Sequence, residues 1–94
     1  MAKVLFETAL QKTNIDIEPK NGKDFKLEEM QELVGGDVEV IYLPNGDKFI
    51  VNEDGYNLGL GYNLEATAIC LRWGVPLVHP IVGTAVYVEA GLFN

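Results

Sequence analysis

Several residue types that mark common functional classes are scarce in this sequence. Cys70 is the single cysteine, so no disulfide can form within the chain. His79 is the single histidine, and one cysteine with one histidine gives too few soft ligands for a zinc site. No apolar run reaches the roughly 18–20 residues that a membrane helix needs. We therefore expect no metal, no other cofactor and no membrane association.

Basic residues are also scarce over most of the chain. Residues 1–26 carry five lysines and four acidic residues, whereas residues 27–94 carry two basic residues against ten acidic ones. The formal net charge is −7. Such a chain has no basic face for direct binding to nucleic acid. It can remain soluble through its charge or attract a basic partner.

The length and composition are those of one small domain. A chain of 94 residues supports a single modest core, and the 48% hydrophobic content is in the globular range. We therefore treat residues 1–94 as one domain. Residues 1–13 have no long apolar segment, which argues against a signal peptide. Together with the single cysteine, this favours a cytoplasmic protein.

The first half of the sequence contains strand and helix signals. Residues 3–10 are ambiguous between a strand and a short helix, whereas residues 14–18 alternate as a strand does. A helix is expected after Asp24, its predicted N-cap, and Gly35 followed by Gly36 ends it. Its apolar stripe consists of Leu27, Met30, Leu33 and Val34.

The second half contains a hairpin, a helix and an apolar strand. Asn45 and Gly46 predict a two-residue type I′ turn between the hairpin strands. Asn63 is the expected N-cap of a helix over residues 64–73, and residues 81–88 have the apolar character of a central strand. The predicted fold class is α+β: a small, mainly antiparallel sheet of four or five strands with two helices packed on it.

Polar and aromatic residues between the hairpin and the second helix form a candidate ligand site. Two carboxylates and an amide at the end of a strand can bind a cation or a polar ligand, although Asn and Asp also simply make turns. The aromatic and amide side chains that follow can clamp a planar ligand, or can pack their own loop. The candidate ligand-binding residues are Asn52, Glu53, Asp54, Tyr56, Asn57, Tyr62 and Asn63.

His79 is the one candidate for acid–base chemistry. Working with Glu53 or Asp54, it would make the protein a small hydrolase. No serine, cysteine or aspartate near it forms a recognisable triad pattern. A loop histidine bonded to the backbone is the simpler interpretation, so we predict no catalytic residues and a protein that is not an enzyme.

The second helix is apolar nearly all round, which indicates either a central position or contact with another chain. We therefore predict a homo-oligomer, with an interface formed by Leu64, Ala68, Leu71, Trp73, Leu92 and Phe93. A second feature is the run of acidic residues at Glu28, Glu29, Glu32, Asp37 and Glu39. Such a run is typical of a solvated helix face, but a mimic of DNA phosphates has the same appearance.

Most of the chain resembles an uncharacterised family of small domains that is widespread in bacteriophages, plasmids and gut-bacterial mobile elements. The order of a helix, Gly35-Gly36, a strand and Asn52-Glu53-Asp54-Gly55 carries the resemblance. Further matching pieces are Ile17-Glu18-Pro19, Leu27–Val34, Val38–Tyr42, Asn63, Ala66-Thr67 and Ile81–Ala85. The family-like core is residues 14–89, and residues 1–13 form an extension that could add an edge strand or an oligomer contact.

The resemblance implies a phage or mobile-element context, with the host cytoplasm as the location, and it supplies no activity. We therefore predict a non-enzymatic binding protein that acts on a host process. It would bind a host protein through its acidic face or a small molecule in a pocket near residues 56–63. The alternatives are an acidic DNA mimic that inhibits a nuclease or restriction complex, and a small hydrolase that uses His79.

Overall fold

The computed structural model describes residues 1–93, which form a five-stranded antiparallel sheet and two α-helices. The α+β prediction is confirmed. The elements in chain order are β1 (Ala2–Leu5), a 3-10 turn (Thr8–Leu10), β2 (Ile15–Ile17), α1 (Leu27–Val34), β3 (Val38–Tyr42), β4 (Lys48–Asn52), α2 (Leu64–Arg72) and β5 (Ala85–Val88). The strand order across the sheet is β2-β1-β5-β4-β3. Among residues 1–93 neither α-helix has the length and apolar character needed to cross a membrane.

The two helices cover opposite faces of the sheet. Alternation along β4 places Ile50 in the core beneath α1, and Phe49 and Val51 in the core beneath α2. The buried core on the α1 side consists of Ala2, Phe25, Met30, Val34, Ile50, Val86 and Val88. The buried core on the α2 side consists of Leu5, Leu43, Phe49, Val51, Ala66, Cys70, Ile81 and Ala85. Strands with both faces covered need apolar residues at successive positions, which explains the apolar run in β5.

The N-terminal segment is part of the sheet interior. β1 pairs with β2 on one side and with β5 on the other, so it is not an edge strand, which was one of the two alternatives for residues 1–13. Ala2, Val4 and Leu5 are buried. Residues 3–10 were ambiguous between a strand and a short helix because they contain both the end of β1 and a 3-10 turn.

β5 is central, as its apolar pattern predicted, but it begins later than expected. It lies between β1 and β4 and starts at Ala85 rather than Ile81. Gly83 precedes it with φ +78°, and its N–H donates to the Gly61 carbonyl at 2.8 Å. A Cβ at this position would lie 2.7 Å from Leu60 Cδ1. The glycine is therefore required both by its backbone conformation and by the close approach of the 55–62 loop.

The β3–β4 hairpin has a three-residue loop rather than the predicted two-residue type I′ turn. The Leu43 N–H donates to the Asp47 carbonyl, and the Gly46 N–H donates to the Leu43 carbonyl. Gly46 has φ +92°, but Asn45 is not among the residues with positive φ. A type I′ turn needs positive φ at both central positions, whereas a type I turn followed by a left-handed glycine needs it once. Pro44 fits the second arrangement, because it favours the first central position of a type I turn.

The start of α1 also differs from the prediction. Lys26, not Asp24, occupies the N-cap position, and the Glu29 carboxylate accepts the Lys26 N–H at 2.8 Å and the Lys20 N–H at 2.9 Å. These two backbone N–H groups lower the pKa of Glu29 below its usual value. Asp24 instead accepts a hydrogen bond from the Asn21 amide. The helix ends at Gly35, which has φ +82° as predicted.

The N-cap of α2 is confirmed. Asn63 Oδ1 accepts the Ala66 N–H at 3.1 Å, and the buried Asn63 amide nitrogen donates to the carbonyls of Leu5 and Gly83. One side chain therefore fixes α2 to the end of β1 and to the segment that leads into β5. This arrangement positions α2 on its face of the sheet.

Candidate functional site

A cavity of about 470 Å³ lies on the α2 side of the sheet. It is at the end of the hairpin where β3 begins and β4 ends, next to the turn that follows β4. Its floor is formed by β3 and β4, and its far wall is formed by residues 76–82. The lining residues are Glu39, Val40, Ile41, Val51, Asn52, Glu53, Tyr56, Pro76, Leu77, Val78, His79, Ile81 and Val82. The size is that of a site for a small ligand or a peptide side chain.

The register of the hairpin brings two carboxylates to this cavity. Glu39 on β3 is directly opposite Val51 on β4. Glu53 lies two residues beyond Val51, and its N–H donates to the Asp37 carbonyl at 2.8 Å. Residues two apart along a strand share a face, so Glu53 and Glu39 are diagonal neighbours on the side of the sheet that carries the cavity.

An aromatic pair stands at the wall of the cavity. The rings of Tyr56 and His79 are stacked, with centroids 4.6 Å apart and an interplanar angle of 25°. His79 Nδ1 lies 2.7 Å from the Pro80 carbonyl oxygen. Because a carbonyl oxygen only accepts, Nδ1 carries the hydrogen in this contact, and Nε2 is the ring nitrogen left for a ligand. The pair joins the turn after β4 to the far wall.

Hydrogen bonds from α2 hold the far wall in place. Thr67 Oγ1 accepts the Ile81 N–H at 2.9 Å and donates to the Asn63 carbonyl at 2.8 Å. The Asn63 N–H donates to the Ile81 carbonyl at 2.8 Å, and the Val75 N–H donates to the Cys70 carbonyl at 3.0 Å. The wall is therefore anchored at both ends by the helix, which gives the cavity a defined shape without a ligand.

The chemistry of the lining favours a cationic ligand with an apolar part. The lining includes Glu39 and Glu53 but no lysine or arginine. Ile41, Val51 and Leu77 supply apolar contact. A tyrosine face attracts ammonium and guanidinium groups, and carboxylates bind them with charge-assisted hydrogen bonds. Across residues 1–93, no group of three or more His, Cys, Asp or Glu residues is placed to bind a metal ion.

The structure divides the predicted ligand residues into two groups. Asn52, Glu53 and Tyr56 line the cavity. The remaining four do not line it: Asp54, Asn57, Tyr62 and Asn63. The side chain of Asn63 is committed to the three hydrogen bonds that hold α2, and Tyr62 forms an isolated bridge with Val82 through its backbone.

The proposed catalytic combination is brought together only in part. His79 and Glu53 line the same cavity, whereas Asp54 does not line it. The Asp54 N–H donates to Asn52 Oδ1 at 2.8 Å, which is a hydrogen bond within the turn. His79 stacks on Tyr56 and bonds to the backbone, as the simpler interpretation of a loop histidine predicted.

Glu39 and the wall residues 76–82 were missed as candidate ligand residues. The wall is separated from β3 by more than thirty residues of sequence, and no local pattern links the two. Pro76 and Pro80 predict an extended segment, but not the element against which it packs. The alternation of β3 could have indicated Glu39, because it shares a face with Ile41.

The predicted interface residues occupy two different parts of the molecule. Leu64 and Leu71 on α2 are 55% and 60% exposed, and Ala68 and Trp73 are also exposed. Leu92 and Phe93 instead pack, half-buried, against the core on the α1 side. Their backbone carbonyls accept hydrogen bonds from the Phe25 N–H and from Lys48 Nζ, each at 2.6 Å. Leu92 and Phe93 therefore pack on their own chain.

Several carboxylates of the acidic run on α1 and β3 already make hydrogen bonds or an ion pair within the chain. Glu29 is engaged by two backbone N–H groups at the start of the helix, and Glu32 lies 3.9 Å from Lys20. Asp37 accepts a 3.4 Å hydrogen bond from the Gln31 amide, and Glu39 lines the cavity. Glu28 is exposed and is not among these contacts, and the DNA-mimic alternative stays a prediction.

Comparison with known proteins gives one match, at the level of the family. No curated protein and no solved structure is matched by the chain. A family model does match, over residues 5–91, and it therefore includes every strand and helix from the end of β1 to β5 as well as the whole lining of the cavity. The chain belongs to DUF3846, a family defined as a domain of unknown function.

Proposed function

We propose that this protein is a non-enzymatic binding protein of a phage or mobile element that acts on a process in the host cytoplasm. It does so by binding a cationic group in the cavity between β3, β4 and residues 76–82. The observation that carries the proposal is the combination of the stacked Tyr56 and His79 with Glu39 and Glu53 in a lining that has no lysine or arginine. The resemblance to mobile-element domains supports the biological context.

The physical argument rests on uncompensated charge beside apolar walls. Glu39 and Glu53 are diagonal neighbours, and both side chains are exposed on the cavity side. A bound ammonium or guanidinium group would donate charge-assisted hydrogen bonds to these carboxylates. Its contact with the Tyr56 face would contribute about 0.5–2 kcal/mol, depending on how far water is excluded. We expect micromolar to millimolar affinity for a small cation, because the site is open to solvent on one side.

Titration with agmatine, which carries a guanidinium and an ammonium group on a short apolar chain, tests the proposal. NMR chemical shifts are expected to change at Tyr56, His79 and Glu53. The planar but uncharged N-butylurea should give no such change. Glu39→Gln and Glu53→Gln should each weaken agmatine binding several-fold, because each removes one carboxylate. Glu28→Gln is the matched control, since Glu28 is exposed on α1 and does not line the cavity.

Two results would contradict the proposal. The first is an absence of shift changes at cavity residues with millimolar agmatine. The second is hydrolysis of an ester or phosphodiester panel that is lost in His79→Ala, because this would make the protein an enzyme. An inactive panel together with agmatine binding supports the non-enzymatic assignment.

We further propose that the protein is a homo-oligomer that associates through α2. The support is the outward row of Leu64, Ala68 and Leu71, which recurs at helical spacing and is exposed in the single chain. Light scattering should give more than the mass of one chain, and Leu71→Glu should reduce the mass to that of a monomer. Leu27→Glu, at a leucine of α1 that is 46% exposed, is the matched control. A wild-type monomer at high micromolar concentration would contradict the proposal.

A further inference from the structure

β3 forms an edge of the sheet, and the charge of Glu39 is the one feature of this strand that protects the edge. Within residues 1–93 its only strand partner is β4, and the register runs without a bulge from Val38 opposite Asn52 to Tyr42 opposite Lys48. Natural proteins usually protect such an edge with a proline, an inward charge, a bulge or a very short strand. β3 has five residues and contains neither proline nor lysine.

The opposite edge of the sheet is protected in the usual way. β2 has three residues, and the buried Pro19 follows it closely in the chain. Its central residue, Asp16, is opposite Lys3 on β1 and pairs with it at 3.8 Å. A short strand that ends near a proline offers few backbone groups to a partner. The contrast singles out β3 as the open edge.

The hydrogen bonds that flank β3 show which of its backbone groups face outward. The Glu53 N–H donates to the Asp37 carbonyl, and the Leu43 N–H donates to the Asp47 carbonyl. Odd-numbered residues of β3 therefore bond to β4. In an antiparallel ladder the residues between them point their N–H and carbonyl groups away from that partner. On β3 these residues are Val38, Val40 and Tyr42.

The open edge adjoins the proposed cation site. Glu39, Val40 and Ile41 of β3 all line the cavity. In a strand added along β3, every second side chain would lie on the cavity side of the sheet, next to Glu39 and Ile41. Glu53 is near the same position, and Asp37 is directly opposite it across the ladder. Lysine or arginine at alternate positions of the added strand would match this charge, whereas a second copy of β3 would bring its own Asp37 and Glu39.

We propose that β3 binds an extended basic segment of a partner protein as a sixth strand of the sheet, and that a lysine or arginine of this segment occupies the cavity. The inference rests on the cavity function proposed above and names its ligand as a peptide. Backbone hydrogen bonds to Val38, Val40 and Tyr42 supply the affinity. The carboxylates of the cavity supply the preference for a basic side chain.

Amide hydrogen exchange with a short synthetic peptide of alternating lysine and valine tests the inference. The peptide should slow exchange of the Val40 and Tyr42 amides by at least about tenfold, because these amides gain a hydrogen bond on binding. The Ile41 amide is the internal control, since it is already bonded to β4 in the free protein. A peptide of alternating glutamate and valine should give no protection.

A pair of variants separates the backbone contacts from the side-chain contacts. Val40→Pro removes an outward N–H and no bond to β4, so the sheet should be retained, as edge prolines are in natural proteins. We expect it to weaken binding of the lysine–valine peptide by about tenfold or more, whereas Val40→Ala keeps the backbone N–H and should weaken binding much less. Glu39→Lys should reverse the preference toward the glutamate–valine peptide. If Val40→Pro does not fold, the exchange experiment decides the question without it.

The possible results distinguish this inference from the cavity function. Binding of the peptide without protection of Val40 and Tyr42 would overturn strand addition, and so would binding of agmatine but not of the peptide. Either result leaves the cavity function in place. Failure of both ligands would overturn both proposals. Protection of the same amides on raising the protein concentration without peptide would assign the edge to a second copy and would also overturn the inference.

Discussion

The side chain of Asn52 joins the end of α1 to the turn after β4. Its Nδ2 donates to the Val34 carbonyl at 3.1 Å, and its Oδ1 accepts the Asp54 N–H at 2.8 Å. A Cβ on Gly36 would lie 3.0 Å from the same Nδ2. Gly36, which follows α1, and Asn52, the last residue of β4, therefore contribute to the same contact. This contact brings together two motifs that are far apart in the sequence.

Asn52→Ala should destabilise the protein by about 1–3 kcal/mol, because it leaves the buried Val34 carbonyl without its donor and the turn without its acceptor. Urea unfolding followed by circular dichroism measures the change. Asn57→Ala is the matched control, since Asn57 lies in the same loop region and is exposed. Equal unfolding midpoints for the two variants would show that the contact does not contribute.

Asn63→Ala should cost more than Asn52→Ala. The fully buried side chain of Asn63 makes three hydrogen bonds, to the Leu5 and Gly83 carbonyls and from the Ala66 N–H. Its removal combines the loss of a helix N-cap, about 1 kcal/mol, with two unsatisfied buried carbonyls. We expect a loss of about 3 kcal/mol or more, measured by urea unfolding. A loss no greater than that of an ordinary exposed cap would contradict this account.

Local sequence signals predicted the elements of the fold well but missed the start of α1, the start of β5 and the type of the hairpin loop. Asn63 at α2 and Gly35 at α1 were read correctly, because a cap acts within one turn of its helix. At the start of α1, aspartate is a more favourable N-cap residue type than lysine, which led to the prediction of Asp24 rather than Lys26. The carboxylate of Glu29 decides the position by bonding back to the Lys26 N–H.

The predicted type of the hairpin turn was wrong for a related reason. Asn45 followed by Gly46 is the strongest short signal for a type I′ turn, but Pro44 and Asp47 also contribute to the choice. Asp47 accepts the Ala90 N–H and is bonded to the Tyr87 hydroxyl, so the C-terminal strand holds the loop. A contact with a residue forty positions away is not visible in the local pattern.

The sequence marked one side of the candidate site, and on the other side it marked only His79, through the hydrolase alternative. Asn52, Glu53 and Tyr56 lie within five residues of sequence that have the composition of a turn, so the sequence alone indicated them. The other wall, including His79, reaches the cavity only because Thr67 and Asn63 of the α2 region bind Ile81. The position of a wall that depends on tertiary hydrogen bonds cannot be derived from the periodicity of its own residues.

Asp47 should make the stability of the protein depend on pH in the acid range. Burial tends to raise the pKa of Asp47, but hydrogen bonds from the Tyr87 hydroxyl, the Ala90 N–H and the Asn45 amide outweigh it and lower the pKa overall. A carboxyl group whose pKa is lower in the folded state contributes stability above its unfolded pKa, near 4. This contribution is lost as the pH falls through the folded pKa.

The measurement is the unfolding free energy from urea titrations between neutral pH and about pH 2, the interval that spans the usual pKa of aspartate. Asp47→Asn should lower the stability at neutral pH and flatten its decline in acid, since the group no longer titrates. Tyr87→Phe removes one of the three donors and should give an intermediate slope. An unchanged slope in Asp47→Asn would assign the acid sensitivity to other carboxylates, such as Glu29.

The thiol of Cys70 should report on the opening of α2. Cys70 is fully buried in the core between α2 and the sheet, and burial raises the pKa of its thiol. Because the thiolate is the reactive form, both effects slow reaction with a disulfide reagent. At pH 8 we expect labelling of the folded protein to be at least about a hundredfold slower than labelling in urea, with the rate set by opening of the core. Labelling of the folded protein as fast as that of N-acetylcysteine would mean that α2 does not stay packed on the sheet in solution.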